Sequence, residues 1–155
     1  MYGNVRQHAG ERRRSDMVEN RRSRPRFEVL EVTGPSMVPT LLHGDRLLVR
    51  YGAVVRPGDV VVLRHPFQQD LLVVKRAAER RPGGWWVLGD NPYNETGDST
   101  VYGAVPAELV LATAVLRFRP RAVDQRSLRA RASWAVSALR PLWADASASS
   151  RLRAR

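Results

Sequence analysis

From Phe27 onward, short apolar runs alternate with clusters of Gly, Pro, Asp and Asn. The runs are "FEVLEV" (27–32), "RLLVRYG" (46–52), "DVVVLRH" (59–65), "LLVVKRAA" (71–78), "WWVLG" (85–89) and "LVLATAVLRF" (109–118). They are short, rich in Val and Leu, and bounded by "LHGD", "RPGD", "PFQQD", "RPGG" and "NPYNETGDS". That punctuation reads as strands joined by tight turns rather than as helices. Gly-Asp recurs at 44–45, 58–59 and 89–90 as turn chemistry at strand ends, without a fixed period. The pattern predicts a mainly β domain, a small barrel or coiled antiparallel sheet.

The flanks read differently. Residues 1–26 are polar and arginine-rich with few large aliphatics, the composition of a disordered arm. In 121–155, Leu128, Ala132, Trp134, Val136 and Leu139 fall at helix-like spacing before Pro141 interrupts them. This predicts a short C-terminal helix packed on the domain, or a partly disordered basic tail; the sharper alternative is an amphipathic segment that touches a partner or a membrane surface. The chain thus divides into an arm (1–26), a domain (27–120) and a tail (121–155), and 155 residues suit one domain better than two.

Charge changes the picture only at the ends. The net charge is +11, and such a balance suggests nucleic acid. Yet residues 1–26 hold eight arginines against Glu11, Asp16 and Glu19, and residues 121–155 hold eight against Asp124 and Asp145. The segment 27–120 carries ten basic and ten acidic residues and is neutral. The folded part is therefore not a basic nucleic-acid surface, although the tails suit nonspecific contact with anionic partners, a membrane periphery included. No cysteine is present, which removes disulfides, thiolate metal sites and cysteine nucleophiles. His8, His43 and His65 lack metal-ligand spacing, so neither a metal nor a cofactor is expected. The longest run without Asp, Glu, Lys or Arg, 32–44, is thirteen residues and contains Gly34, Pro35 and Pro39. A spanning helix needs about 18 apolar residues, so no transmembrane anchor is expected, and with no secretory signal the expected location is the cytoplasm.

The chemistry begins with one residue. Of 26 basic residues, 25 are arginine and one is lysine, Lys75. Arginine keeps its proton in proteins, whereas a desolvated lysine gives its proton up. On a strand Val73 and Lys75 share a face, with Leu71 two positions further back. If that face is inward, the amine is pushed toward neutrality and becomes a general base. The plainer alternative is a strand-end lysine with its head in water. Ser36, in "TGPSMVPT", follows a Gly-Pro turn, where a serine is either a cap or an exposed nucleophile with its own N–H nearby. The segment 89–106 crowds Asp90, Asn91, Asn94, Thr96, Asp98 and Ser99 into ten residues. It is an ordinary polar loop unless it packs beside Ser36 and Lys75.

Taken in order, "SMVPT" (36–40), "GDRLLV" (44–49), "RPGDVVVLRHP" (56–66), "LLVVKR" (71–76) and "GDN" through "YGAVP" (89–106) resemble the signal peptidase I family of Ser/Lys proteases. The resemblance covers about 27–118. It implies Ser36 as nucleophile and Lys75 as general base, with Asp98 and Thr96 or Ser99 holding the lysine region. Two positions depart from the family pattern. Thr100 stands where many members carry an arginine, and Gly34 stands where some place a second oxyanion donor. A small chain without an anchor is most similar to the soluble actinobacterial branch that matures nickel-type superoxide dismutase. That implies a protein substrate, the N-terminal propeptide of the proenzyme. Rival readings are a signal peptidase acting on secretory precursors, a Ser/His/Asp triad using His43 or His65, a self-cleaving repressor, and a non-enzymatic β-barrel adaptor with basic tails.

Overall fold

The structure is a computed structural model that describes residues 4–7, 26–93, 97–120 and 139–142. Its strands are β1 (Asn4–Gln7), β2 (Phe27–Thr33), β3 (Arg46–Tyr51), β4 (Val60–His65), β5 (Gln68–Arg81), β6 (Gly84–Leu88), β7 (Val110–Phe118) and β8 (Leu139–Pro141). One four-residue helix, α1 (Ser99–Tyr102), and a 3₁₀ turn (Ala107–Leu109) separate β6 from β7. The sheet path runs β1-β2-β3-β7-β4-β5-β6, with β8 added beside β7, and every pairing is antiparallel. A single bridge, Asn4↔Val73, brings β1 against β5, so the sheet curls back on itself without a continuous ladder closing it. Register shifts at Leu48/Val49, Val62/Leu63, Arg64/His65 and Ala77/Glu79 supply bends that a flat sheet would lack. The expected mainly β fold is therefore a coiled antiparallel sheet.

Strand alternation fills both faces. Leu30, Leu47, Val49, Val60, Val62 and Val74 join one buried cluster, together with Met37 and Leu41 from the loop after β2. Val61, Leu63, Val73, Ala77, Trp85 and Val87 form the other. β5 therefore has core on each side, which explains an apolar run where a half-exposed strand would alternate. The polar "QQD" and "ERR" ends extend β5 past the expected 71–78, because the β4–β5 and β5–β6 hairpins keep pairing beyond the apolar core.

Two corrections concern the flanks. The arm read as disordered contributes β1, whose Val5 pairs with Val32 and whose Arg6 pairs with Glu31. β2 would otherwise leave one edge of backbone groups without partners, and β1 fills it. The tail, read as a basic segment with a short helix, instead adds a strand to the sheet at β8. β4 pairs with β7 at Val110, Ala112 and Thr113 and then diverges; β8 takes the vacated edge at Leu116, Arg117 and Phe118. Leu142 follows directly and is buried in the first cluster. Burying one leucine contributes about 1.5–3 kcal/mol, enough to anchor a three-residue strand. The segment read as a C-terminal helix lies mostly outside the described residues, and its last position, Leu139, is in a strand.

Candidate active site

Ser36 sits in the turn that links β2 to β3. Gly34, at φ +90°, and Pro35 reverse the chain after Thr33. Turn hydrogen bonds then close from Val38 N to the Pro35 oxygen (3.1 Å) and from Leu41 N to the Met37 oxygen (2.8 Å). Met37 and Leu41 point into the core and are almost fully buried, so the turn is pinned by its apolar members. Ser36 is itself fully buried, and its Oγ has no hydrogen-bond partner.

Lys75 lies mid-strand in β5, opposite Val61 and on the face that also carries Val73 and Ala77. It too is fully buried, and its Nζ has no hydrogen-bond partner. Burial pushes its proton affinity below the ordinary lysine range; the carboxylates of Asp98 and, more weakly, Asp90 pull it partly back. Of the four apolar residues leading into the lysine, Leu71 and Val73 line its own side, while Val74 faces the other cluster and Leu72 packs against it.

The segment 89–91 joins the two. A β-carbon built on Gly89 would lie 2.7 Å from the Ser36 carbonyl oxygen and 3.8 Å from Lys75 Nζ. Nothing larger than glycine fits there, and both residues flank that one point. Asn91 ties the serine turn down twice: its N–H donates to the Ser36 oxygen (3.1 Å), and its side-chain amide donates to the Pro35 oxygen (3.0 Å). Asp90 receives Arg76 through Nε (2.8 Å) and Nη2 (2.6 Å), and also receives the Thr40 hydroxyl (2.5 Å). Arg76 also donates Nη1 to the Gly58 oxygen (2.7 Å).

Asp98 and Ser99 brace this segment from behind. Gly89 N donates to Asp98 Oδ2 (3.2 Å), and Val87 N donates to the Ser99 hydroxyl (2.8 Å). The other Asp98 oxygen caps α1 by accepting from Thr100 N (2.9 Å) and Thr100 Oγ1 (2.6 Å). Thr100, the departure from the family pattern, thus supplies two neutral donors to Asp98.

The sequence-expected residues Ser36, Lys75, Asp98 and Ser99 come together here, with Gly34 bending the chain two residues before the serine. Thr96 lies outside the described residues. Arg76 and Thr40 join the site only in the fold. An arginine on a buried strand needs a carboxylate, and only the fold shows that Asp90 is the one it meets. His43 is exposed in a turn. His65 is buried at the end of β4, where Nδ1 accepts from Phe67 N (3.2 Å) and the ring meets Phe67 and Tyr102 edge-on. Burial, and secondly the charge of Lys75, hold it below the usual histidine range. Among the described residues no group of three or more His, Asp and Glu is placed to hold a metal ion, and no helix is long and apolar enough to cross a membrane.

The model of the Peptidase S24-like family matches residues 7–101, a span that includes the Ser36 turn, Lys75 and the 89–99 bracket. The chain belongs to the Peptidase S24-like family. Two relatives agree. Subunit 1 of the mitochondrial inner membrane protease of Xenopus tropicalis is 32% identical over 117 residues, covering 60% of this chain and 70% of the relative. The same subunit from Schizosaccharomyces pombe is 31% identical over 118 residues, covering 61% and 74%. No solved structure matches. This peptidase is therefore of the signal-peptidase type. The relatives are mitochondrial proteases and not superoxide dismutase maturation enzymes.

Proposed function

We propose that this peptidase is a serine endopeptidase with a Ser36/Lys75 dyad that removes an N-terminal segment from a protein substrate. One observation carries the reading: two buried polar atoms without partners, Ser36 Oγ and Lys75 Nζ, belong to residues that flank the same glycine. Orphaned buried polar groups cost free energy and are retained where chemistry needs them. Neutral Lys75 takes the Ser36 proton as Oγ attacks the scissile carbonyl. The Ser36 N–H faces the developing oxyanion. The C–N bond breaks, the amine leaves with the proton held by Lys75, and a lysine-activated water hydrolyses the ester. Asp98, Ser99 and Asn91 hold the frame, and neither metal nor cofactor enters.

The favoured substrate is the propeptide of nickel superoxide dismutase proenzyme, processed in the cytoplasm. It rests on resemblance to the soluble branch of the family. The relatives, subunits of a mitochondrial inner membrane protease, are compatible with a second reading, removal of signal peptides from secretory precursors. Co-incubation with each precursor, reading new N-termini by mass spectrometry, separates the two. Ser36→Ala and Lys75→Arg are each expected to lower cleavage at least about 10³-fold. Wild-type rates in either variant overturn the dyad. Salt-sensitive binding without cleavage, unaffected by Ser36→Ala, would instead identify an adaptor.

A further inference from the structure

The strand β8 and the leucine after it lie outside the span matched by the family model, yet that leucine joins the buried cluster that holds the apolar anchors of the Ser36 turn. Two routes connect them. Leu142 is 2% exposed and joins the buried cluster that contains Met37 (1%) and Leu41 (0%), the two apolar anchors of the serine turn. β8 also covers the edge of β7 at Leu116, Arg117 and Phe118. From that end of β7, Arg117 Nη1 donates to the Thr40 oxygen (2.9 Å). Just beyond it, Arg119 grips Asp45 with Nε (2.8 Å) and Nη2 (2.9 Å). Asp45 in turn accepts from Leu42 N (2.9 Å). The near side of the turn is held by Asn91 and the far side, 40–45, by the β7 end that β8 secures.

We propose that residues 139–142 act as a positioning strap for the nucleophile turn, with Leu142 as its anchor. The strap touches no substrate. It restricts the turn so that Ser36 stays in register with Lys75, and removing its anchor lets Met37 and Leu41 shift while the sheet remains. This rests on the proposed dyad for its kinetic consequence but not for its structural one.

The test compares full-length Leu142→Ala with Val62→Ala. Val62 belongs to the same cluster but is contributed by β4, a central strand paired on both edges with β5 and β7. Both variants lose buried aliphatic volume. A positioning role predicts that Leu142→Ala lowers kcat about tenfold or more with KM nearly unchanged. It also predicts that Leu142→Met restores kcat and that Val62→Ala leaves it near wild type. Hydrogen exchange of the Leu41 amide, which closes the turn onto the Met37 oxygen, gives a readout independent of activity. It should accelerate in Leu142→Ala and not in Val62→Ala. Equal effects of the two substitutions on kcat and on that amide would reduce Leu142 to ordinary core and overturn the proposal. If Leu142→Ala does not fold, Leu142→Val carries the same comparison. If no variant cleaves any precursor but the amide responds selectively, the strap stands and the dyad falls.

Discussion

Lys75 and Arg76 are consecutive residues of β5, both fully buried, and the strand turns them to opposite faces. Arg76 meets a two-pronged carboxylate from Asp90 and a backbone oxygen from Gly58. Lys75 shares its strand face with Val73 and Ala77, lies beside Gly89, and meets no hydrogen-bond acceptor. A buried cation with partners keeps its charge and holds structure together. One without a hydrogen-bond acceptor is pushed by burial toward releasing its proton, even with carboxylates nearby that oppose this. The same strand thus carries a clamp on one side and, in the proposed dyad, a base on the other. The clamp holds Asp90, next to the Gly89 that lies beside Lys75 Nζ.

The largest break of this contrast is Asp90→Ala. It strands the Arg76 guanidinium in the interior and should lower unfolding free energy by about 3–5 kcal/mol, read as a fall in the urea midpoint. A loss below about 1 kcal/mol would show that the clamp is not what stabilises this side. Next is Gly89→Ala. The new methyl must displace the Ser36 carbonyl, so cleavage should fall about 10²-fold while the fold survives. Lys75→Met acts in the opposite sense. It removes an unpaired buried amine and should add about 1–2 kcal/mol at neutral pH while abolishing activity.

The sign follows from the lowered proton affinity of Lys75. The unfolded chain keeps this proton up to about pH 10.4, and the folded chain loses it earlier, so stability rises with pH between the two values. Cleavage should climb with pH through the lower one. In Lys75→Met the stability slope across that window should vanish, which a urea titration at several pH values would reveal. The smallest effect is expected at the exposed Arg81–Glu79 pair at the β5–β6 hairpin. There Glu79→Ala should change stability by under about 0.5 kcal/mol.

The strands of the middle of the chain were legible because their apolar runs are dense and their turns carry Gly, Pro and Asp. Boundaries moved by about one residue, except in β5, where pairing outlasts the apolar pattern. β1 was not legible. "NVRQ" holds one apolar residue and is a strand only because β2 offers it an edge. β8 was hidden by Pro141 and by a helix-like spacing that ended on Leu139. At the site, Ser36 and Lys75 stood out by residue type and context. Arg76 did not, since 25 arginines gave no reason to notice one. Its meaning lies in Asp90, fourteen residues away. The role of Thr100 was equally invisible, because a threonine two positions after an aspartate is common in loops. Only the cap of α1 shows both of its donors on one oxygen.

The burial of Lys75 also makes the chain a natural single-site probe. Its side chain is the only primary amine besides the N-terminus. Amine-reactive acylating reagents therefore have one internal target, closed off in the native fold and open in the unfolded chain. Incorporation of a single acyl group, followed by mass, counts excursions of this interior into solvent. Neither an introduced cysteine nor a fused tag is needed to watch the site open.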